Sequence, residues 1–187
     1  MIVFDYFVYN LGVSPKDIII CGRSIGSGPA VYLSANRKPS SLILISPFKS
    51  IQETAASIVG IFKFLIADRF KNYELISKVT CPTLFIHGQN DNLISFSHSI
   101  DLSKRCSGPY ELILPEDMDH NDFNIYDDFL EPIMSFLKRH NLNLSSNSKC
   151  ITIPNELFSI PIYMQEATEK LKNTDYVSSF IRKLLKI

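Results

Sequence analysis

Two short aliphatic runs constrain what this chain can fold into more than any other feature: Ile18-Ile19-Ile20-Cys21 and Ser41-Leu42-Ile43-Leu44-Ile45-Ser46. Neither alternates apolar with polar residues. A strand that faces water on one side reads apolar and polar by turns, whereas a strand covered on both faces reads as a continuous Val/Ile/Leu run. The turn residues Ser14-Pro15-Lys16-Asp17 introduce the first run and Pro47 ends the second, so both are strand-length. Thr83-Leu84-Phe85-Ile86-His87, introduced by Pro82, is a third strand signal, and Tyr110 to Leu114 is a fourth.

Helical spacing fills the intervals. It runs from Ile25 to about Asn36, from Phe96 to Cys106, and from Asp122 to Arg139 with Phe123, Tyr126, Leu130, Ile133 and Phe136 towards the core. A shorter pattern from Asp5 to Gly12 precedes the first strand, with Phe4, Phe7, Val8 and Leu11 on one side. Strands separated by helices are βαβ units, and right-handed crossovers make them a parallel sheet with helices on both faces.

Residues 1–140 therefore read as one α/β domain, and residues 141–187 as a linker and a C-terminal helical extension. Within the domain, residues 47–75 include the apolar helical stretch Phe48 to Phe70, which reads equally as a cap over the sheet edge or as a core helix. Asn141 to Lys149 is polar and Ser/Asn-rich. Tyr176 to Ile187 places Val177, Phe180, Ile181, Leu184 and Leu185 on one face and Arg182, Lys183 and Lys186 on the other. Such a helix can dock on a domain, rest on an anionic membrane or extend as a tail.

Composition narrows the function classes. The 187 residues are 45% hydrophobic and 20% charged, and nineteen basic residues balance nineteen acidic ones, so there is no nucleic-acid footprint. The most apolar stretch, Ile58 to Ala67, is interrupted by Lys63 and falls well short of the roughly 20 residues that span a bilayer. The amino terminus has no basic stretch before its apolar residues and does not read as a secretory signal. Cys21, Cys81, Cys106 and Cys150 are irregularly spaced, with no zinc-ligand pattern, and read as reduced, mostly buried thiols. The expected location is cytoplasmic, with peripheral membrane contact as the alternative, and no metal or cofactor is expected.

The chemistry concentrates at Gly22-Arg23-Ser24-Ile25-Gly26, which lies between a buried strand and a helix. That is the context a Gly-x-Ser-x-Gly nucleophile elbow requires, because the strand-to-helix turn is so sharp that the serine is strained and its neighbours must be small. Gly22 and Gly26 meet that demand. Ser24 then stands at a helix start, where the free N–H of Ile25 is the expected oxyanion donor. A phosphate-binding glycine loop fits less well: no Lys-Ser/Thr follows, and no acidic residue stands about 20 positions on at a strand end.

A serine nucleophile needs a base and an acid to orient that base. Asp91 follows the third strand in His87-Gly88-Gln89-Asn90-Asp91, and His120 follows the fourth in Met118-Asp119-His120-Asn121-Asp122. Both loops leave the carboxyl edge of a parallel sheet, the edge that carries Ser24. Asp91 is the expected acid and His120 the expected base. His87 at a strand end, His98 on a helix and His140 at a helix end are weaker candidates. Asp117, Asp119 and Asp122 crowd His120 but lie off the same strand as it does.

GRSIGSGPA, the strand with His-Gly-Gln-Asn-Asp, and His-Asn-Asp after the last strand together resemble the α/β-hydrolase superfamily. Within it they are similar to the α/β hydrolase domain-containing protein 17 and 13 type, which includes acyl-protein depalmitoylases. The resemblance runs from about Asp5 to His140 and implies Ser24 as nucleophile, Asp91 as triad acid and His120 as general base. It implies the C-terminal half of an α/β-hydrolase fold, with a parallel sheet of about four strands flanked by helices. The family's loop for a second oxyanion donor lies in the half for which this chain has no signal, and Asp119 stands where the relatives usually have Gly. The implied activity is cleavage of an ester or thioester on an acylated protein or a lipid-like small molecule. The alternatives are an aminopeptidase-like serine hydrolase and a catalytically impaired binding module that self-associates through an exposed sheet edge.

Overall fold

The computed structural model describes residues 1–54 and 69–142. They belong to a compact unit, Met1–Leu144, and Ser145–Ile187 forms a separate unit. The C-terminal extension and most of the cap-like segment 47–75 lie outside the described residues.

Four parallel strands form one sheet in the order β1-β2-β3-β4: β1 (Ile19–Arg23), β2 (Ser41–Ile45), β3 (Thr83–Ile86) and β4 (Tyr110–Ile113). Every described residue of β2 and β3 is buried, as their unbroken apolar runs require. Alternation within those runs serves two cores. Ile20, Leu42, Leu44 and Phe85 face one cluster, together with Ala30 and Val31 of α2 (Ser27–Arg37), Ile76 and Leu102. Ile43, Ile45, Leu84 and Ile86 face the other, against Met118, Phe136 and Leu137. Fully buried leucines such as Leu42 and Leu44 each contribute about 1.5–3 kcal/mol by leaving water.

The first cluster is covered by α1 (Ile2–Asp5), α2, α3 (Asn72–Leu75) and α4 (Ser97–Arg105). Arg37 grips Asp5 with two hydrogen bonds, at 2.6 and 2.9 Å, and so ties α1 to the end of α2. The second cluster is covered by α5 (Glu131–Arg139), whose Arg139 pairs with Glu111 of β4.

Three sequence expectations are corrected. Cys21 is exposed rather than buried, because it shares the face of Ile19 and Ile43 at the sheet's edge, beyond the cover that α5 gives β2 and β3. The amino-terminal helix is α1 followed by a π turn, Tyr6–Asn10, and the chain then turns at Gly12, which has φ +69°. The long helix expected from Asp122 starts only at Ile125, where Asn124 accepts the N–H of Tyr126 at 3.0 Å. Its first segment, Ile125–Leu130, is wound as a wider π turn, which shifts the phase of the apolar positions. Tyr126 and Leu130 consequently point outward, 73% and 43% exposed, while Phe136 is fully buried.

Candidate active site

Parallel pairing aligns the carboxyl ends of the strands. Arg23 registers with Ile45, Ile45 with Ile86 and Ile86 with Ile113, so the segments that follow emerge on one edge. Ser24 stands immediately beyond β1 with φ +49°, a left-handed backbone that costs a non-glycine residue on the order of 1–3 kcal/mol. Gly22 makes the turn possible: a Cβ there would lie 2.5 Å from the Gly26 carbonyl oxygen and 2.6 Å from the Ala30 Cβ. Gly26 is different. It has φ −65°, and a Cβ there would meet no atom within 4 Å among the described residues, so the expectation that both flanking glycines are sterically required holds for Gly22 alone.

Ser24, His120 and Asp91 are brought into one hydrogen-bonded line. Ser24 Oγ lies 3.0 Å from His120 Nε2, and His120 Nδ1 lies 2.7 Å from Asp91 Oδ2. His120 and Asp91 are 4% and 7% exposed, so the Asp91–His120 bond is screened from bulk water. An ionised carboxylate only accepts, which puts the imidazole proton on Nδ1 and leaves Nε2 to receive the Ser24 hydroxyl proton.

Asp91 is tightly held. Its Oδ1 accepts the N–H groups of Leu93 at 3.0 Å and Ile94 at 2.8 Å. Burial alone would raise its pKa, but the Ile94 N–H, the hydrogen bond to His120 and the nearby imidazoles outweigh it and hold the carboxyl below its usual value. Ile25, the expected oxyanion donor, lies in the short 3-10 turn Ser24–Gly26, where the first N–H groups have no partner within the turn.

Sequence reasoning misses several supports of this line. The Arg23 guanidinium reaches from the elbow to the carbonyl of His120 and lies 3.5 Å from Asn121 Oδ1 and 5.2 Å from the centre of the Phe123 ring. One side chain thus ties the serine turn to the histidine loop. Asp119 accepts the backbone N–H of His120, and its other oxygen accepts from Asn92 at 3.2 Å. It joins the two loops. His87, fully buried, lies 3.3 Å from Asp91. None of these pairings has a local spacing signal, because each spans loops from different strands or closes within a loop; a lone cation inside the elbow motif is the one available hint.

Residues 20–121 match the family model described as serine hydrolase (FSH1). The chain belongs to this serine hydrolase family. It is 38% identical over 133 residues to human α/β hydrolase domain-containing protein 17B, a match covering 71% of this chain and 46% of that protein. It is also 38% identical over 126 residues to mouse α/β hydrolase domain-containing protein 17C, covering 67% and 39%. The chain therefore spans under half the length of these curated relatives. Among solved structures it is similar to an acetyl xylan esterase from Paenibacillus sp. R4, at TM-score 0.61 and 18% identity over 73% of this chain and 49% of that one. A sugar hydrolase from Lactococcus lactis gives TM-score 0.62 and 20% identity over 77% and 68%. These likenesses establish the α/β-hydrolase fold class, with its four-stranded parallel sheet flanked by helices.

Proposed function

We propose that this serine hydrolase cleaves esters or thioesters through Ser24, His120 and Asp91, and that acylated proteins are its substrates. The observation that carries the reading is the line Ser24 Oγ, His120 Nε2, His120 Nδ1, Asp91 Oδ2, at 3.0 and 2.7 Å, with Ser24 held at positive φ. Ser24 Oγ attacks the acyl carbonyl carbon while its proton passes to His120 Nε2, and the carbonyl oxygen becomes an oxyanion facing the Ile25 N–H. The carbon–sulfur or carbon–oxygen bond then breaks, and His120 returns that proton to the departing thiolate or alkoxide. Water then attacks the acyl-enzyme carbonyl as its proton passes to Nε2, and His120 returns that proton to the departing Ser24 Oγ, giving the free acid and regenerated Ser24. Asp91 stays ionised and keeps the imidazole in register throughout.

Apolar surface beside the line supports a lipid-like acyl group: Ile25, next to the serine, and Leu93, two residues past Asp91, are 59% and 47% exposed. The relationship to the 17B and 17C proteins supports the same substrate class through the resemblance described above.

A fluorophosphonate probe, together with p-nitrophenyl butyrate and an S-palmitoylated peptide, tests the reading. Labelling and hydrolysis should both vanish in Ser24→Ala. Labelling that persists in that variant would remove Ser24 from the role, and ester turnover without any release from the palmitoyl peptide would remove the acyl-protein substrate.

A further inference from the structure

We propose that His87 is a positioning residue of this site, its Nε2–H shared between the Ile94 carbonyl and the same Asp91 oxygen that holds His120. The inference rests on the reading of Ser24, His120 and Asp91 given above and adds a fourth side chain to it.

Three contacts define the ring. His87 Nδ1 is 2.7 Å from Ser99 Oγ, and Nε2 is 2.8 Å from the Ile94 carbonyl and 3.3 Å from Asp91 Oδ2. Both neighbours of Nε2 are acceptors only, so Nε2 carries a proton. A serine hydroxyl can donate, so Nδ1 accepts from Ser99. The tautomer is thereby fixed by chemistry on both sides of the ring. Burial pushes His87 down from its usual pKa, against the opposing pull of the Ile94 carbonyl and Asp91, and the ring stays neutral. The other titratable groups bearing on it are His120 from the base loop and His98 from α4, which itself faces Lys49, Glu53 and Asp101.

Asp91 consequently meets two backbone N–H groups at Oδ1 and two imidazoles at Oδ2. Rotation of the carboxylate would break all four contacts together. The two imidazoles differ in mounting. His120 must shuttle a proton and sits on a loop, whereas His87 lies one residue beyond β3, its own N–H bonded to Ile113 O at 3.0 Å, and Ser99 lies within α4. A series of close polar contacts therefore runs from α4 through His87 and Asp91 to His120 and the serine. The neutral second imidazole takes up part of the carboxylate's charge, which moderates its hold on the imidazolium that forms during turnover.

The test compares the unsubstituted protein with its His87→Gln and His87→Asn variants. Gln carries its amide N–H near the place of Nε2, and Asn carries its amide near the place of Nδ1, so both retain a polar partner but only Gln can reach Asp91. In p-nitrophenyl butyrate hydrolysis His87→Gln should keep kcat within about threefold. His87→Asn should lose about tenfold in kcat, roughly 1.4 kcal/mol, with KM unchanged, and the rising limb of its kcat/KM profile should move to higher pH. Equal kcat and superimposable profiles for the two variants would overturn the proposal. Nitrogen-15 spectra of the histidine rings in the unsubstituted protein and in Asp91→Asn give a readout that needs no activity. His87 should be neutral and protonated at Nε2 at neutral pH, and that proton should move upfield in Asp91→Asn. A ring protonated at Nδ1, or a resonance indifferent to Asp91→Asn, would equally overturn it. If the unsubstituted protein shows no hydrolysis, the reading of Ser24 fails, and the spectra still decide the bond from His87 to Asp91.

Discussion

A Cβ on Gly88 would stand 1.9 Å from the carbonyl oxygen of Met118, so the loop bearing Asp91 and the loop bearing His120 touch backbone to backbone. Asn90 donates its N–H to that same carbonyl at 3.2 Å, and Gln89 donates to Pro115 O at 2.9 Å. Gly88→Ala must push the loops apart. It should destabilise the fold by about 1–3 kcal/mol, as overpacking does, and slow fluorophosphonate labelling of Ser24 by widening the gap between Asp91 and His120. Thermal unfolding and labelling kinetics check it, and native values for both would contradict this account of the loop contact.

Arg23 ties the serine turn to the histidine loop from the other side. Its hydrogen bond to the His120 carbonyl is charge-assisted, a class worth about 1.5–3 kcal/mol. Arg23→Met removes the guanidinium from both the His120 carbonyl and the Phe123 ring and should release the loop, lowering kcat with little change in KM. Arg23→Lys should rescue only partly, since a compact, strongly hydrated ammonium lacks the planar face that the Arg23 guanidinium lays over the Phe123 ring. Steady-state kinetics on both variants decide; full rescue by Lys would show that charge alone matters here.

Acid should weaken the fold before it touches most carboxylates. Burial, reinforced by the Lys49 charge, pushes His98 down to about 4, and its Nδ1 accepts the Lys49 backbone N–H at 3.1 Å, a contact that needs the neutral ring. A histidine depressed in the folded state takes up its proton more readily when unfolded. Its contribution is therefore whole above the unfolded value of about 6.5 and is lost as pH falls towards 4. His87, also depressed by burial, acts in the same direction, and Asp91 adds its loss below the ordinary carboxylate range. Urea midpoints should fall from pH 7 to 4, and His98→Asn should flatten part of that slope. A midpoint constant over the interval would refute the assignment.

What can be read from sequence divides by the range of the interactions involved. β2 and β3 are legible because burial on both faces writes a continuous apolar run, and the segments bearing Ser24, Asp91 and His120 are legible because parallel strands send their following loops to one edge. The exposure of Cys21 is not legible, because composition cannot say where a sheet's cover stops. Tyr126 and Leu130 mislead because a π turn breaks the 3.6-residue period on which their inward placement depends. The Arg23 strap joins residues 97 apart, and His87 reads as a plain strand-end histidine since nothing local marks its approach to Asp91.

The edge of β1 bears on association. Among the described residues β1 pairs only with β2, which leaves the other row of N–H and C=O groups without a strand partner, and Cys21 is exposed on that strand. The purified chain should elute larger than a monomer, and a charged substitution on the exposed position, Cys21→Lys, should shift it towards the monomer. Light scattering during size-exclusion chromatography measures this directly; a monomer at all concentrations would contradict the prediction.

The two glycines of the elbow should respond in opposite ways to the same substitution. At Gly22 a methyl group would meet the Gly26 carbonyl and the Ala30 Cβ at distances no real Cβ adopts, and neither can yield: one is backbone and the other is seated in the core. Gly22→Ala should separate β1 from α2, lower the unfolding temperature by several degrees and abolish labelling of Ser24, since the turn that strains the serine is built on that contact. At Gly26 the backbone is ordinary, with φ −65°, and a methyl group meets no atom within 4 Å among the described residues. Alanine there restricts the unfolded chain and suits the start of α2, so Gly26→Ala should be neutral or stabilise the fold by about 0.4–1 kcal/mol and keep its labelling. Thermal melts and probe kinetics on the two single variants settle the matter. Loss of folding in Gly26→Ala would mean that its open side is filled in the folded protein by something outside the described residues, and intact labelling in Gly22→Ala would mean that the serine's strain does not depend on the approach of strand and helix.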